Sequence, residues 1–236
     1  MLAHNSIRGD ARVLKEALTL KNAGYDVTIY GLTDNKKGEQ FEVTDQRIPV
    51  HLTYRAPVGS QNNLLQKLTM TRSPDQPFDI NQYLRSDKND KTSKILRSFK
   101  HQGLLVADAA LRSQRKPDVV HIHDHLCLTA SNILKKYLGA NIVWDAHEIY
   151  EDLAGTEAER GAANQIIIEE NVDNVDAFIT INDSIAEFYS ENYPNLPDPV
   201  IVHNATSKMP AFKYDGRLHS AANLDSDQKI LLFQGG

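Results

Sequence analysis

Cysteine is almost missing from the sequence, since Cys127 is the only one among 236 residues. A single cysteine cannot form an internal disulfide, which excludes the disulfide-stabilised scaffolds of small secreted proteins and favours a reducing, cytoplasmic location. The sequence also has no run that approaches the roughly 18 apolar residues of a membrane span. Its first residues, Met1 to Asn5, lack a basic segment followed by an apolar one, so no secretory signal is predicted.

An excess of positive charge is also missing. Lysine and arginine number 26 against 31 aspartates and glutamates, which gives a formal net charge of −5. This balance argues against a general nucleic-acid-binding surface. Neither a Gly-x-Ser-x-Gly motif nor a Walker-type phosphate loop occurs, so serine-nucleophile and P-loop chemistry are set aside.

Short β-type runs alternate with helical stretches along the chain. The runs cover residues 26–32, 48–54, 118–123, 141–145, 177–182, 200–203 and 230–233. Several are apolar throughout, as strands are when helices cover both faces of a parallel sheet. The sequence therefore predicts an α/β fold of the Rossmann-like, doubly wound type with a mostly parallel sheet.

Start and stop signals mark the helices between these strands. Asp10 is placed to cap a first helix, and Gly24 lies where a left-handed residue would end it. Leu14, Ala17 and Leu18 are the expected core face of that helix. Three more helices are predicted: one around residues 104–111 with an Asp108–Arg112 pair, one over 128–138 closed by Gly139, and one opened by a capping box at Ser184.

Both ends of the chain carry signals of a larger protein. The strand before the first helix would have only the residues around Leu2 and Ala3, which is short of the usual five or six. Residues 229–234 read as a new strand that runs into Gly235 and Gly236. We expect an N-terminal domain over residues 1–228 and the start of a second, truncated domain over 229–236.

Histidines and carboxylates follow the predicted strands, at the sheet edge where α/β proteins bind ligands. Residues 4–10 follow the short first strand, and residues 182–184 and 203–205 follow two later strands. The strongest concentrations are HIHDH at 121–125 and DAHEIYED at 145–152. This edge is therefore the predicted functional site.

Five segments carry a resemblance to a known family. They are DARVLKEALTLKNAGYDVTIYG at 10–31, PDVVHIHD at 117–124, DAHEIYED at 145–152, FITINDS at 178–184 and KILLFQGG at 229–236. Together they resemble the N-terminal half of a family-four glycosyltransferase of the GT-B fold. The resemblance implies a retaining enzyme that moves a sugar from a nucleotide-sugar donor to a glycan or lipid-linked acceptor, with no cofactor and no required metal. It also implies that this half shapes the acceptor side, that a second domain holds most of the nucleotide, and that this chain alone is almost inactive.

The resemblance also implies roles for individual residues. His123 matches the family histidine that faces the transferred sugar, and Asp124 beside it is the second catalytic candidate. The substrate-binding candidates are Asn5, Arg8, Gly9, Asp10, His147, Glu148, Asn182 and Asn204. Two departures from the family pattern are that the first loop has only Gly9 where many relatives have two adjacent glycines, and that Asn204 precedes alanine rather than glycine.

Simpler structural roles are available for several of these residues. His121, deeper in its strand than His123, is more typical of a structural histidine. Asp124 could cap the helix that follows it. Asp10 and Arg12 could be a helix cap and a surface charge.

Two further functional hypotheses come from the same residues. A metal-dependent hydrolase would use His121, His123, Asp124, His125, His147 and Glu148 as ligands. Against it, the familiar binuclear hydrolase string has one more residue between its second histidine and its aspartate than HIHDH has. The other hypothesis is a non-catalytic module that binds nucleotides or glycans.

A basic repeat is the remaining unusual pattern. Cationic residues recur at every third position, at Arg85, Lys88, Lys91, Lys94, Arg97 and Lys100. On an ideal helix they spiral around the axis, which favours a solvated helix or loop. The alternative is peripheral contact with anionic lipid headgroups at the inner face of a membrane.

Overall fold

A computed structural model describes residues 1–58, 69, 75–76, 78–85, 89–113, 116–205 and 213–232. The chain divides into two compact units, residues 1–204 and residues 205–236. The expected boundary between residues 228 and 229 stays a prediction.

Strands and helices alternate through the first unit. The strands are β1 (Ile29–Thr33), β2 (Glu39–Val43), β3 (Ile48–Tyr54), β4 (Val119–His123), β5 (Asn141–Ala146), β6 (Ala177–Thr180) and β7 (Pro199–Ile201). The helices are α1 (Ala11–Asn22), α2 (Ile80–Tyr83), α3 (Lys91–Arg112), α4 (Asp124–Leu128), α5 (Ser131–Leu138), α6 (Ala158–Asn171) and α7 (Asp183–Asn192). Short 3-10 turns lie at Tyr150–Asp152 and Val172–Asn174.

The strands form two groups that the N-terminal segment joins. One group has the order β2-β3-β1 and the other β4-β5-β6-β7, and β2 is the antiparallel member. Leu2 pairs in parallel with Tyr30 on one side and Ile122 on the other. The short first strand is thus the link between the groups, and the Rossmann-like, mostly parallel α/β fold is confirmed.

Aromatic packing fills the core beside β5. The indole ring of Trp144 is fully buried, with ring centroids 5.3 Å from Phe178 and 5.2 Å from Tyr189. Trp144 and Asp145 are consecutive residues of β5, so Asp145 cannot shift unless the packed indole moves as well. The aromatic packing therefore fixes the position of this strand. The core therefore holds the strand that carries the site.

Helix ends follow the sequence signals at several points. The Asp10 carboxylate accepts a hydrogen bond from the Val13 amide at 3.0 Å, and Val13 and Ala17 are the buried residues of α1. Gly24 and Gly139 both have left-handed backbones, with φ of +92° and +65°. The predicted caps at these positions are confirmed.

Three local predictions are wrong. Asn182, not Ser184, caps α7, because its side-chain oxygen accepts from the Ile185 amide at 2.9 Å and the helix begins two residues earlier. The helix predicted over 128–138 is two helices, and the Thr129 hydroxyl at the break donates to the Leu126 carbonyl at 2.8 Å. Strand β2 has no predicted counterpart, because its alternating, half-exposed sequence EQFEV contains no apolar run.

The second unit contains α8 (Arg217–Ala222), which begins at Gly216 with φ of +82° and ends at Asn223 with φ of +53°. No strand lies at residues 229–232, which overturns the strand predicted there over the described part, and Phe233 lies outside the described residues. Leu231 is fully exposed, and no strand lies among the described residues of this unit.

The basic repeat lies largely on α3, and Lys88 falls outside the described residues. Lys91 pairs with Glu157 at 2.8 Å, and the buried Lys100 pairs with Glu170 at 2.6 Å. Carboxylates of this chain therefore meet two of the cations, so less charge is available for lipid than the sequence suggests. No helix within the described ranges is long and apolar enough to cross a membrane. Lipid contact stays a prediction, which cosedimentation with anionic and neutral vesicles would test.

Candidate functional site

Two histidines and an aspartate meet where β4 and β5 end. His121 and His123 lie on the same face of β4, and their rings stack with centroids 4.4 Å apart and planes 14° apart. Asp145 on β5 lies opposite His123 in the strand register. The alternation of side chains along a strand brings both imidazoles to this carboxylate.

The carboxylate of Asp145 is the centre of the site and is completely buried. Arg12 binds it through two nitrogens, Nη2 to Oδ1 at 2.8 Å and Nε to Oδ2 at 3.1 Å. The imidazole nitrogens of His147, His121 and His123 lie 3.1, 3.5 and 3.4 Å from its oxygens. Burial alone would raise the pKa of Asp145, but contacts with the histidines and Arg12 outweigh it and hold the pKa well below its usual range.

Arg12 connects three parts of the first unit. Besides Asp145, its guanidinium contacts Glu16 one turn along α1 at 2.9 Å. It also donates to the Val202 carbonyl and to the Asn204 side-chain oxygen, both at 3.0 Å. Only 10% of its side chain is exposed, so the predicted role as a surface charge is wrong. The donor geometry of a guanidinium, with five N–H groups in one plane, allows this set of contacts.

Glu16 is the second carboxylate of the buried group. One of its oxygens lies 3.4 Å from His121 Nε2 and 3.9 Å from His123 Nε2. Burial and the neighbouring negative charge of Asp145 raise the pKa of Glu16 to about 8, although Arg12 opposes the shift. Around neutral pH, Glu16 therefore tends to keep its proton while Asp145 is ionised.

Asp124 has a strained backbone and an organised side chain. Its φ is +61°, a conformation that aspartate tolerates better than most residues. Its carboxylate accepts from the Tyr150 hydroxyl at 2.6 Å and lies 3.4 Å from His147 and 3.5 Å from His4. Burial would raise the pKa of Asp124, but the His147 and Tyr150 contacts lower it to about 2. Asp124 is the first residue of α4 and its side chain makes these contacts instead of capping the helix, so the cap hypothesis is wrong.

His147 lies between the two aspartates. Its Nε2 faces Asp145 and its Nδ1 faces Asp124, while its backbone N–H donates to the Tyr150 hydroxyl at 3.1 Å. Burial would lower the pKa of His147, but the two carboxylates outweigh it and raise the pKa to about 9. At neutral pH this ring is an imidazolium, which suits it to stabilise negative charge and not to act as a base.

The side chains of the cluster differ in their exposure to solvent. The side chains of His4, Asp124 and His147 are 32%, 20% and 18% exposed, whereas that of His123 is 1% exposed. His4, Asp124 and His147 are therefore accessible to solvent at this edge of the sheet. His123 lies beneath them, with burial lowering its pKa and favouring the neutral ring.

The first loop uses most of its polar groups internally. Asn5 donates to the Asp10 carboxylate at 2.7 Å and accepts from the Ile7 amide at 2.7 Å, and Asp10 also caps α1. Arg8 pairs with Glu39 at 3.0 Å and lies over the ring of Phe41. A Cβ atom added at Gly9 would have no described neighbour within 4 Å, so there is room for a side chain at this position. These contacts give Asn5 and Asp10 a structural role in the loop and direct Arg8 toward β2.

The other candidates are distributed around the edge. Glu148 is exposed, and its carbonyl accepts from the Tyr189 hydroxyl at 2.9 Å. Asn182 caps α7, and Asn204 accepts from Arg12. His125 is turned away from the cluster, hydrogen-bonded to the buried Asn164 at 2.8 Å, and burial lowers its pKa to about 4.

Four residues of the cluster could hold a metal ion: Glu16, His121, His123 and Asp145. Two of them, Glu16 and Asp145, were not among the predicted ligands, and the predicted His125 lies elsewhere. The buried position of Arg12 beside Asp145 was not predicted either. A signal for it was present, because Arg12 and Glu16 are four residues apart and so share one face of α1.

Comparisons with known proteins agree with this architecture. A family model described as a glycosyl transferase 4-like domain matches residues 10–205. A comparison with curated proteins finds no match.

The fold is shared with solved structures of other proteins. Sucrose-phosphate synthase from Thermosynechococcus elongatus is similar with a TM-score of 0.56 and 12% identity, over 92% of this chain and 46% of that one. The catalytic domain of starch synthase IV from Arabidopsis thaliana, bound to ADP and acarbose, is similar with a TM-score of 0.50 and 12% identity, over 97% of this chain and 59% of that one. This chain thus spans about half the length of the first structure. Since the family model covers most of the sequence, the chain belongs to the glycosyl transferase 4-like domain family.

Proposed function

We propose that this chain is the acceptor-side domain of a retaining glycosyltransferase that uses a nucleotide-sugar donor and a glycan or lipid-linked acceptor. The observation that carries the proposal is the solvent-facing edge of Asp124 and His147, backed by the buried Asp145, in a chain that belongs to this family. Ligands of doubly wound folds bind at this edge of the sheet.

Asp124 is the group proposed to position the acceptor. Its carboxylate is ionised at neutral pH and partly exposed, and a carboxylate has about four lone-pair sites. Tyr150, His147 and His4 approach it from within the domain, which leaves room for one hydrogen bond from a sugar hydroxyl. Such a bond fixes the direction of the hydroxyl oxygen toward the donor carbon.

His147 is proposed to stabilise charge. As an imidazolium beside Asp124, it offers a positive field where donor phosphate and acceptor oxygen develop negative charge. His123 lies below it, with ring centroids 5.9 Å apart. Because His123 is buried, we propose that it acts on the transferred sugar through the field and position of His147, and not by direct contact.

Transfer as proposed requires no metal and no cofactor. The second domain of the whole enzyme would bind most of the nucleotide, so this chain alone would bind a nucleotide sugar weakly and turn it over hardly at all. The hydrolase hypothesis is less well supported, because His125 faces Asn164 and not the other proposed ligands.

The test uses the full-length enzyme that contains this chain. Purified protein is assayed for nucleotide release with a panel of nucleotide sugars, and the anomeric configuration of the product is read by proton NMR. We expect retention of configuration. An inverted product would refute the retaining mechanism, and metal-dependent ester hydrolysis would favour the hydrolase. Tight sugar binding without turnover would favour the binding module.

A matched pair of variants tests the role of Asp124. Asn tolerates the same left-handed backbone, so Asp124→Asn is expected to fold and to lower kcat by about 100-fold, the low end for a positioned catalytic group. Asp173→Asn, at an exposed position, is the control and should leave kcat unchanged. Equal kcat in Asp124→Asn and in the unsubstituted enzyme would refute the proposed role.

A further inference from the structure

Four potential ligand atoms converge inside the domain, one each from Glu16, His121, His123 and Asp145. All of them lie within 4.8 Å of one another. His121 Nε2 is 3.4 Å from Glu16 and 3.5 Å from Asp145, and His123 Nδ1 is 3.4 Å from Asp145. With metal–ligand bonds of about 2.1 Å, the ligand atoms of a tetrahedral zinc site are separated by about 3.4 Å.

Three imidazole nitrogens of this group lie near carboxylates without forming a hydrogen bond of good geometry. His121 Nε2 and both ring nitrogens of His123 are buried and make no hydrogen bond of acceptable geometry to any described residue. His123 has no exposed surface and His121 is 9% exposed. A buried polar atom without a partner is costly, and native proteins usually satisfy it with a protein group, a water molecule or an ion.

We propose that Glu16, His121, His123 and Asp145 form a binding site for one divalent transition-metal cation of the Zn²⁺ class. Two imidazoles and two carboxylates are a ligand set that Zn²⁺ accepts, whereas Mg²⁺ and Ca²⁺ favour oxygen ligands. The cation would displace the proton of Glu16 on binding, so that both carboxylates would then offset the charge of a buried dication.

Arg12 and His147 are compatible with such a site. Arg12 Nη2 and His147 Nε2 both contact Oδ1 of Asp145, and Arg12 Nε contacts Oδ2, whose second lone pair can bind the cation. Groups that bind a metal ligand from behind fix its orientation and so strengthen the site. The positive charge of Arg12 opposes the cation, and Glu16, which contacts Arg12 at 2.9 Å, reduces that repulsion once metal binding has removed its proton.

The site differs from the proposed catalytic edge. His123 and Asp145 are almost fully enclosed, so a cation here would hold α1, β4 and β5 together below Asp124 and His147. It would stabilise the domain and lock the two imidazoles, and it is not assigned a step in sugar transfer. The inference therefore goes beyond the transferase proposal.

The experiment titrates metal-free, chelator-treated chain with Zn²⁺ by calorimetry and with Co²⁺ by visible absorption. One Zn²⁺ per chain and the intense d–d bands of tetrahedral Co²⁺ are expected, together with a rise in Tm. Glu16→Gln is expected to weaken binding by at least about 10-fold, and His121→Ala by more. Glu187→Gln and His219→Gln are the controls and should bind as the unsubstituted chain does.

Several results would overturn the proposal. They are no uptake at about 0.1 mM Zn²⁺, unchanged affinity in Glu16→Gln, or a loss of binding in His219→Gln. Glu16 is 19% exposed, so the isosteric Gln should fold, and circular dichroism checks this. If His121→Ala does not fold, Glu16→Gln alone decides. Transferase assays of the full-length enzyme in chelator are independent, so either proposal can fail without the other.

Discussion

Replacement of Asp145 by asparagine tests whether the buried ion pair with Arg12 organises the site. Asn has the same shape as Asp, so the change removes charge without leaving a cavity. It leaves the Arg12 guanidinium, which is only 10% exposed, without its main counter-charge. It also removes the carboxylate that His121, His123 and His147 approach.

The magnitude follows from the burial of the pair. Breaking a buried ion pair by removing one partner destabilises a protein by about 3–5 kcal/mol, because the remaining charge is uncompensated. The Asn amide oxygen can still accept one bond from Arg12, so we expect the low end, about 3 kcal/mol. With a urea m-value of roughly 3 kcal/mol/M for a chain of this size, the midpoint should fall by about 1 M.

Trp144 provides the assay. It is the only tryptophan, it is fully buried, and it is adjacent to Asp145, so its fluorescence reports unfolding of the strand that carries the site. Urea titrations of the unsubstituted chain and of Asp145→Asn, followed by fluorescence and by circular dichroism, give the free energy of unfolding. Coincident transitions in the two signals justify a two-state analysis.

Two comparisons make the result specific. Glu42→Gln removes an exposed ion pair with Arg47 and should leave the midpoint unchanged within error. Arg12→Met should destabilise the chain strongly by itself but add little to Asp145→Asn, since both remove the same contact. A loss of less than about 1 kcal/mol in Asp145→Asn would show that the pair is not the organising contact and would refute the reasoning.

Three further predictions concern the same domain. In chelator-treated protein, the His147 ring should titrate near pH 9 when followed by NMR. The charged ring should contribute its full stabilisation below about pH 6.5, and this stabilisation should be lost as the pH rises through 9. A titration midpoint of the ring below about pH 7 would contradict this prediction. Tyr150→Phe leaves Asp124 without its hydroxyl donor and should lower the free energy of unfolding by about 1–3 kcal/mol, with Tyr25→Phe at an exposed ring as the neutral control. Gly161→Ala should lower Tm although alanine favours helix, because the new Cβ would lie 2.6 Å from the Glu151 carbonyl oxygen. An unchanged or higher Tm would show that the backbone at Glu151 moves away at little cost.

The sheet was largely predictable because its strands are apolar and its turns carry strong local signals. The expected run at 48–54 coincides with β3, and the run at 141–145 lies within β5. Strand β2 was not predictable in the same way, since an edge strand exposed on one face alternates polar and apolar residues. Its place beside β3 depends on antiparallel pairing that no local pattern encodes.

The region of the site was predictable, but the roles within it depend on contacts between distant parts of the chain. Arg12 and Asp145 are 133 residues apart, and nothing in the sequence around either one indicates that they pair. An exposed position for Arg12 was the simplest interpretation of a basic residue in the first turn of a helix. Arg12 meets its buried partner Asp145 only because the fold places β5 beside β4 and the start of α1 next to the ends of these strands.

Position along β4 does not decide how exposed each histidine is. His123 is nearer the end of β4 than His121, yet it is the more buried of the two, because His147 and Glu16 cover it. His147, whose side chain is 18% exposed, lies on the loop after the next strand. The charge of His147 is set by Asp124, which follows β4, and by Asp145 on β5. The chemistry of this edge therefore depends more on the side-by-side placement of β4 and β5 than on any one sequence motif.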